Sequence, residues 1–332
     1  MVQTPSAHLA WWETSSAASI ETTMKKCTTI LKRFLACKRY QQILIILAVL
    51  ALAWGVAAGI SVFVCRRALT ARAYDVQIPG VEQPFTAVML TDLHSMEFGE
   101  NNETLLAQIR DSSPDVIFTV GDMISRDASD DEVDRFLALL RALRQIAPVY
   151  SSYGNHERDY IASGGRDLAP RIAETGAVLL QERRALVEVA GNRLCLGGTL
   201  GHLYPFGRSR EEYRESPEYL LMSRMQSSGL PTIVLAHYPD TIIFVHAYED
   251  WDIDLFLSGH THGGVIRIPG IGGLYAPMQG WFPRYDRGYF HPGKIQLIIS
   301  SGFAAHGSIP RVFNRPEFCV IHISPADPAE AS

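Results

Sequence analysis

The sequence predicts an α/β sandwich preceded by one membrane-spanning helix, and three observations carry that expectation. Short apolar runs of strand type alternate with segments of helical period between Phe85 and Ile323. No internal repeat and no second linker interrupts residues 73–332, so they read as one domain. From Ile43 to Cys65 the chain carries 23 residues without a charge, its apolarity broken only by Gly55, Gly59 and Ser61.

A helix over that run reaches about 34 Å at ~1.5 Å per residue, enough to cross a hydrocarbon core of roughly 30 Å. It is too long for the apolar region of a cleaved signal, and Arg66-Arg67 closes it without a small-residue cleavage pattern. Six Lys or Arg precede the run, against Arg66, Arg67 and Arg72 shortly after it. That bias predicts a single-pass protein of the cell membrane, with the N-terminus cytoplasmic and the large domain outside. Gly55-x-x-x-Gly59 offers a face for a helix-mediated homodimer. The expected layout is a basic, partly disordered segment over 1–41, the helix over 42–66 and a linker over 67–83. One domain then fills 84–324, and 325–332 form a tail.

The composition fits a globular domain: 332 residues, 47% hydrophobic and 20% charged, with 26 Gly and 18 Pro. Wholesale disorder, collagen-like repeats and a disulfide-stapled miniprotein are excluded. Net charge is −5, but residues 73–332 alone hold 33 acidic against 21 basic side chains. An acidic domain is a poor partner for a nucleic-acid backbone and suits a protein that binds cations. Five cysteines without a C-x-x-C pair support neither a zinc ribbon nor a disulfide framework. Cys195 and Cys319 sit in alternating apolar runs and read as buried strand residues.

In chain order, Phe85–Thr91 reads as a strand and Glu103–Arg110 as a helix, with Asn101 or Asn102 available to cap it. Val116–Val120 is a short buried strand after Pro114. Asp130–Ile146 has the i, i+3, i+4 period of an amphipathic helix, with acids in its first turn. Val149–Tyr153, Leu186–Val189, Arg193–Gly197, Thr232–Ala236, Ile253–Leu257, Ile295–Ser300 and Phe318–Ile323 complete the strands. Asp240 reads as the N-cap of a helix over 241–248.

The informative feature is what stands after five of these strands. They run into Asp92-Leu93-His94, Gly121-Asp122, Gly154-Asn155-His156-Glu157, His237, and Gly259-His260-Thr261-His262-Gly263-Gly264. Each delivers Asp, Asn or His at a carboxyl end, the edge where open α/β sheets build their sites. Any one fragment alone is common; five in succession, all at strand ends, are not coincidence. Carboxylate, imidazole and amide oxygen together suit Mn²⁺ first, with Fe or Zn²⁺ as alternatives.

This pattern resembles the calcineurin-like metallophosphoesterase superfamily, whose signature runs D-x-H, G-D, G-N-H-[DE], a lone H and G-H-x-H in this order. Every fragment is present, and the resemblance covers roughly residues 84–324. More narrowly, the anchor and the G-H-T-H-G-G ending resemble membrane-tethered bacterial phosphoesterases. These are related to enzymes that cleave the diphosphate of UDP-2,3-diacylglucosamine.

The resemblance implies a four-layer α/β/β/α sandwich holding two divalent ions. Asp92, His94, Asp122 and His262 would hold the first, and Asp122, Asn155, His237 and His260 the second, with Asp122 bridging. A metal-bridged hydroxide would attack a phosphoester or diphosphate. His156 would not be a ligand; it would stabilise charge near the phosphate and protonate the leaving oxygen. Glu157 either fixes the His156 ring or is an exposed residue starting a loop. His202, His246, His291 and His306 match no fragment and read as ordinary histidines.

Residues 265–293 form a Gly/Pro-rich insertion carrying six aromatics with Arg267, Arg284 and Arg287. It reads either as a substrate-binding loop, with Arg267, Arg284 and Tyr285 on a phosphorylated substrate, or as a packed β-excursion with outward arginines. The expected partners are therefore a phosphorylated small molecule or lipid and a membrane, not nucleic acid. The expected function is a membrane-anchored phosphoesterase acting on a glycolipid diphosphate. Two alternatives stand: a broad-range phosphatase or phosphodiesterase outside the cytoplasm, and a catalytically silent scaffold. A silent member should have lost a ligand, and none is missing.

Overall fold

The computed structural model describes residues 21–30, 32, 38–65, 68–200, 210–244, 251–304 and 309–326. Two compact units divide the chain, Met1–Gly59 and Ile60–Ser332. Most of the first unit's described part is helix. It contains residues 21–30 and the greater part of α1 (Lys38–Cys65), 28 residues with an 18-residue window of mean hydropathy 2.7. That window has no residue buried in the protein.

The second unit begins with the last turn of α1, where Ser61 and Cys65 are buried. It then corrects the expected linker. Residues 70–78 form a strand, β1 (Thr70–Ile78), paired in parallel with the last strand of the chain, β16 (Glu317–Pro325). Tyr74, Val76 and Ile78 face inward in alternation with Ala73, Asp75 and Gln77. The period of two was masked because Thr70 and Arg72 occupy the inward register further up, Arg72 reaching Glu317 through a 2.8 Å ion pair.

The remaining elements build two six-stranded sheets. The first has the order β1, β16, β2 (Phe85–Leu90), β3 (Val116–Val120), β4 (Val149–Ser152), β5 (Val178–Leu179), all pairs parallel except β16 with β2. The second is built from β6 (Arg183–Val189), β7 (Asn192–Thr199), β8 (Thr232–Ala236), β9 (Leu255–Ser258), β14 (Gly288–Phe290) and β15 (Gln296–Ile299). Its order is β14, β15, β9, β8, β7, β6, with a parallel centre and antiparallel edges.

Three apolar clusters define the layers. The middle one joins Ala87, Met89 and Phe118 of the first sheet to Leu196, Leu235 and Leu257 of the second. On the outer face of the first sheet pack α2 (Glu103–Asp111), α3 (Asp130–Arg144), α4 (Asn155–Ala162) and α5 (Leu168–Ala173). The outer face of the second is covered by α6 (Arg210–Arg214), α7 (Pro217–Gln226) and α8 (Asp240–Phe244). The arrangement is the expected helix–sheet–sheet–helix sandwich.

Local chemistry fixes the helix starts. Ser129 caps α3 by a reciprocal box with Glu132, and Asp130 and Asp131 sit at the favourable end of its dipole. α7, not anticipated above, carries a Ser216 cap followed by Pro217 at its first position. Asn102 occupies the cap position of α2, but its side-chain oxygen accepts from Phe98 N–H at 3.1 Å instead of from the helix. Asp240 is the first residue of α8 and not its cap; it is buried, and burial pushes its carboxyl up to about 6.

Candidate metal centre

All five ligand-bearing loops leave the carboxyl ends of β2, β3, β4, β8 and β9, the central strands of the two sheets. The turns are tight. Asp92, His94, Asp122, His260 and His262 all adopt positive φ, between 45° and 68°. Side chains other than glycine rarely stay in that region unless the surroundings enforce it. Here backbone bonds do so: Asp92 N–H donates to Gly121 C=O at 3.1 Å and His94 N–H to Asp122 C=O at 3.0 Å. Asp92 in turn accepts His260 N–H and the Thr91 hydroxyl, which ties the first loop to the last.

The side chains meet in three groups: Asp92 with His94 and His262; His94 with Asp122 and His156; and Asp122 with His237 and His260. Within each group the donor atoms lie within 4.8 Å of one another. His237 Nε2 is 3.2 Å from Asp122 Oδ2, His94 Nε2 is 3.7 Å from the same oxygen, and His262 Nε2 is 3.8 Å from Asp92 Oδ1. Asp92, Asp122, His237 and His262 are buried. Burial, with Asp122 close by, pushes Asp92 up to about 7. Burial also pushes Asp122 up, but His237, His94 and His156 outweigh it and hold Asp122 well below the usual carboxylate range. His237 is driven down by burial and up by Asp122, the net result being about 10. Burial drives His262 well below the ordinary imidazole value, so it stands neutral with a lone pair to give.

These residues fit a pair of divalent cations. Asn155 Oδ1 is buried without a hydrogen-bond partner, and its chain neighbours Gly154 and His156 both lie against the Asp122 carboxylate. Two buried carboxylates concentrate negative charge that a cation would offset. Glycines make the room: a Cβ at Gly154 would collide with the Asp122 carboxylate, and one at Gly259 with the Asp92 carboxylate and the Thr91 hydroxyl. The structure thus brings Asp92, His94, Asp122, His237, His260 and His262 together, with Asn155 at the start of α4.

Glu157 matches neither expectation. It is 2% exposed and does not touch the His156 ring; its carboxylate accepts four backbone N–H groups. Oε2 takes Asp122 and Gly154 at 2.8 Å, and Oε1 takes Met123 at 2.6 Å and Ile124 at 3.1 Å. One side chain therefore pins the Asp122 loop to the Asn155 loop. Glu157→Ala should strand these donors at about 1–3 kcal/mol each, a large part of a typical stability of roughly 5–15 kcal/mol. Thermal unfolding should show a collapse of the melting temperature; an unchanged one would refute the pinning role.

His156 lies at the rim of the centre, its Nε2 3.9 Å from Asp122 Oδ2 and its ring edge-on to His94. Its backbone N–H donates to Asp122 Oδ1 at 2.8 Å. Arg126 N–H donates to Nδ1 at 3.0 Å while the Arg126 guanidinium faces Nε2, so a donor stands at each nitrogen of the ring. Burial lowers the ring's pKa, and the Arg126 guanidinium, with Nη2 3.2 Å from Nε2, lowers it further. Sequence reasoning did not single out Arg126. The signal available was its place four residues after the strand-end Asp122.

The insertion is a β-excursion of two small hairpins, β10 (Arg267–Ile268) with β11 (Gly272–Gly273) and β12 (Tyr275–Ala276) with β13 (Gly280–Trp281). Arg267 differs from both expectations: its guanidinium holds Asp286 Oδ2 at 2.6 Å and Gly263 C=O at 2.9 Å, which fastens the excursion to the His262 loop. Gly273 N–H binds the same Asp286 carboxylate, so that acid, unmarked in the sequence reading, organises the base of the hairpins. Arg287 turns inward to Glu317 and Asn314. Arg284 alone is outward, its guanidinium 5.3 Å from the Tyr285 ring centroid, while Tyr285 packs edge-on against Phe290. His202, His246 and His306 lie outside the described residues; His291 is exposed and stacks near Tyr289.

A two-sheet α/β sandwich gathers Asp, Asn and His donors at its strand ends into a candidate binuclear metal site, and together with the family match over residues 85–264 this makes the chain a metal-dependent phosphoric ester hydrolase. The sequence profile of calcineurin-like phosphoesterases matches residues 85–264, and the chain belongs to that family. Among its relatives, an uncharacterized metallophosphoesterase, Cj0846 of Campylobacter jejuni, is 28% identical over 76% of this chain; the match spans 62% of that protein's length. Phosphodiesterase YaeI of Escherichia coli is 27% identical over 72% of this chain and 82% of its own. UDP-2,3-diacylglucosamine pyrophosphatase LpxG of Chlamydia trachomatis is 26% identical over 64% and 75% respectively.

Proposed function

We propose that the protein is a membrane-anchored phosphoesterase with two divalent ions, Mn²⁺ first among them, that hydrolyses a phosphoester or diphosphate at the bilayer. The observation that carries this reading is the pair of donor groups built around Asp92 and Asp122. Asp92, His94, Asp122 and His262 would hold one ion, and Asp122, Asn155, His237 and His260 the other. Bound ions would supply Lewis acidity and an ionised water at neutral pH.

The protein's own contribution is positional. The Glu157 clamp keeps the Asp122 and Asn155 loops at fixed separation. His156 turns Nε2 toward the same oxygen of Asp122 that the other histidines approach, where the imidazolium form of the ring can give a proton to a departing alkoxide and return to neutral imidazole. Arg126 braces the ring through its backbone N–H at Nδ1 and adds a cation for phosphoryl oxygens.

A glycolipid diphosphate such as UDP-2,3-diacylglucosamine is one candidate substrate, supported by the name of the Chlamydia trachomatis relative and by the apolar helix, and it takes first place if the domain lies on the cytoplasmic side. The Escherichia coli relative's name supports the alternative, a broader phosphodiesterase. Detergent-solubilised full-length protein, loaded with Mn²⁺, separates them. Cleavage of UDP-2,3-diacylglucosamine far above that of bis-p-nitrophenyl phosphate supports the first, and the reverse ranking overturns it.

The 23 uncharged residues of Ile43–Cys65 make anchoring directly testable. Extraction from membranes should need detergent, because salt only screens surface attraction. The flanking charges put the N-terminus in the cytoplasm and the domain outside. Protease added to intact cells, or to spheroplasts where an outer membrane exists, should therefore digest the domain. Protection until lysis would reverse the topology, and it would favour the nucleotide-linked lipid, which is made in the cytoplasm. The open faces at Gly55 and Gly59 suit pairing of two such helices.

A further inference from the structure

We infer that the hairpins β10–β11 and β12–β13 form a lip that rests in the headgroup–acyl boundary of a lipid bilayer beside the metal centre. This rests on the proposed spanning role of α1. Residues 268–283 carry no charge at all, inside a domain whose residues 73–332 hold 33 acids and 21 bases. Ile271 is 68% exposed, Met278 54%, Trp281 69% and Phe282 59%. Ile271 sits in the β10–β11 turn and Met278 in the β12–β13 turn. Tyr275 braces Trp281 edge-to-face at 5.6 Å across the second hairpin. Contiguous exposed apolar surface on a folded domain marks a contact site. Trp, Phe, Met and Ile followed by an outward Arg284 is the chemistry of a membrane interface, aromatic and aliphatic groups below a cation for lipid phosphate.

The hydrogen bonds within the second unit say where that surface lies. Ser61, in the last turn of α1, accepts Phe313 N–H at 2.6 Å. The neighbouring Val312 pairs with Ile266, and its carbonyl takes Arg267 N–H at 2.8 Å. The chain that leaves the apolar helix and the base of the lip are thus two links apart in one bonded network. Ile309, at the start of the same segment, is a further exposed apolar residue. On its other side the lip is tied to the ligand loop, through Arg267 to Gly263 C=O and through Thr261 Oγ1 to Asp286 C=O. A lip seated in the bilayer would hold His260 and His262 at the height of lipid phosphates. The class of substrate that this favours is a phosphoester embedded in the bilayer.

Brominated lipids test this in the full-length chain. The protein is reconstituted in phosphatidylcholine vesicles brominated either near the headgroup end of the acyl chains or near their terminus, and tryptophan quenching is read. Trp54 lies at the middle of the uncharged run, so Trp54→Phe should delete the component quenched by deep bromines. Trp281→Phe should delete about half or more of the component quenched by shallow bromines, as an interfacial ring requires. Loss of the Trp54 component without a Trp281 component overturns the lip and leaves the anchor standing. Absence of both overturns the anchor itself. A Trp281 signal that responds to protein concentration and not to bromine makes this face an interface between two copies, and also overturns the proposal.

Discussion

Asp122→Asn is expected to cost more turnover than replacement of any other single donor in the centre, and to lower metal content at both proposed sites. Asp122 belongs to two of the three donor groups and lies within 4 Å of His94, His156 and His237. His237, His94 and His156 hold it ionised despite its burial, so it brings a full negative charge to a place where water cannot replace it. Asparagine keeps the shape and one carbonyl oxygen, which can still accept the His156 N–H now held at 2.8 Å. The loop should therefore stay folded, and the variant isolates charge from architecture. Losing an outer support of a metal ligand typically costs about 10–100-fold in affinity or activity; loss of a shared ligand should exceed that. His262→Ala, touching only the Asp92 group, is the natural comparison. Atomic-emission metal analysis beside turnover decides the matter. Normal metal content with near-normal turnover in Asp122→Asn would dismantle the two-ion arrangement.

The parts of this molecule that could be read in advance are those written by local rules. The strand ends with Asp92, Asp122, Asn155, His237 and His260 were legible because a buried strand that runs into a donor residue, with Gly just before it at Asp122, Asn155 and His260, is a short, continuous pattern. α3 was legible because its apolar period and acidic first turn reinforce one another. β1 was missed because its partner, β16, lies more than two hundred residues away, and because Arg72 stands inward in reach of Glu317, whose identity as a buried partner no local window reveals. Arg267 looked like a phosphate ligand on composition, yet Asp286 captures it once the hairpins close. Glu157 was ambiguous for the same reason: only the folded loops bring the N–H groups of Asp122, Met123, Ile124 and Gly154 to one carboxylate. Donor identity is a property of sequence, whereas donor engagement is a property of the fold.

His156→Ala should leave metal content unchanged and reduce turnover by roughly the 10²–10⁴-fold typical of a lost general acid. Two features of the ring lead to that expectation. Its Nδ1 is turned to the Arg126 backbone at 3.0 Å, so Nε2 is the ring nitrogen on the side of the centre, and the imidazolium form carries a proton there. Nε2 stands 3.9 Å from Asp122 Oδ2, within reach of a phosphoryl group bound at the centre but at the edge of the donor set. If the proton on Nε2 is what the reaction takes, its value must depend on the leaving group. A sugar or lipid alkoxide departs poorly without a proton, whereas nitrophenolate needs none. The defect should therefore shrink on nitrophenyl esters and remain large on alkyl diesters, and that slope separates acid catalysis from simple loss of packing. Arg126→Ala gives the matching control: it removes the cation beside Nε2 but keeps the backbone N–H at Nδ1 that holds the ring in place, so the leaving-group slope should persist at a lower overall rate. Stoichiometric loss of an ion in His156→Ala would instead make the ring a ligand, within the group that His94 and Asp122 form with it.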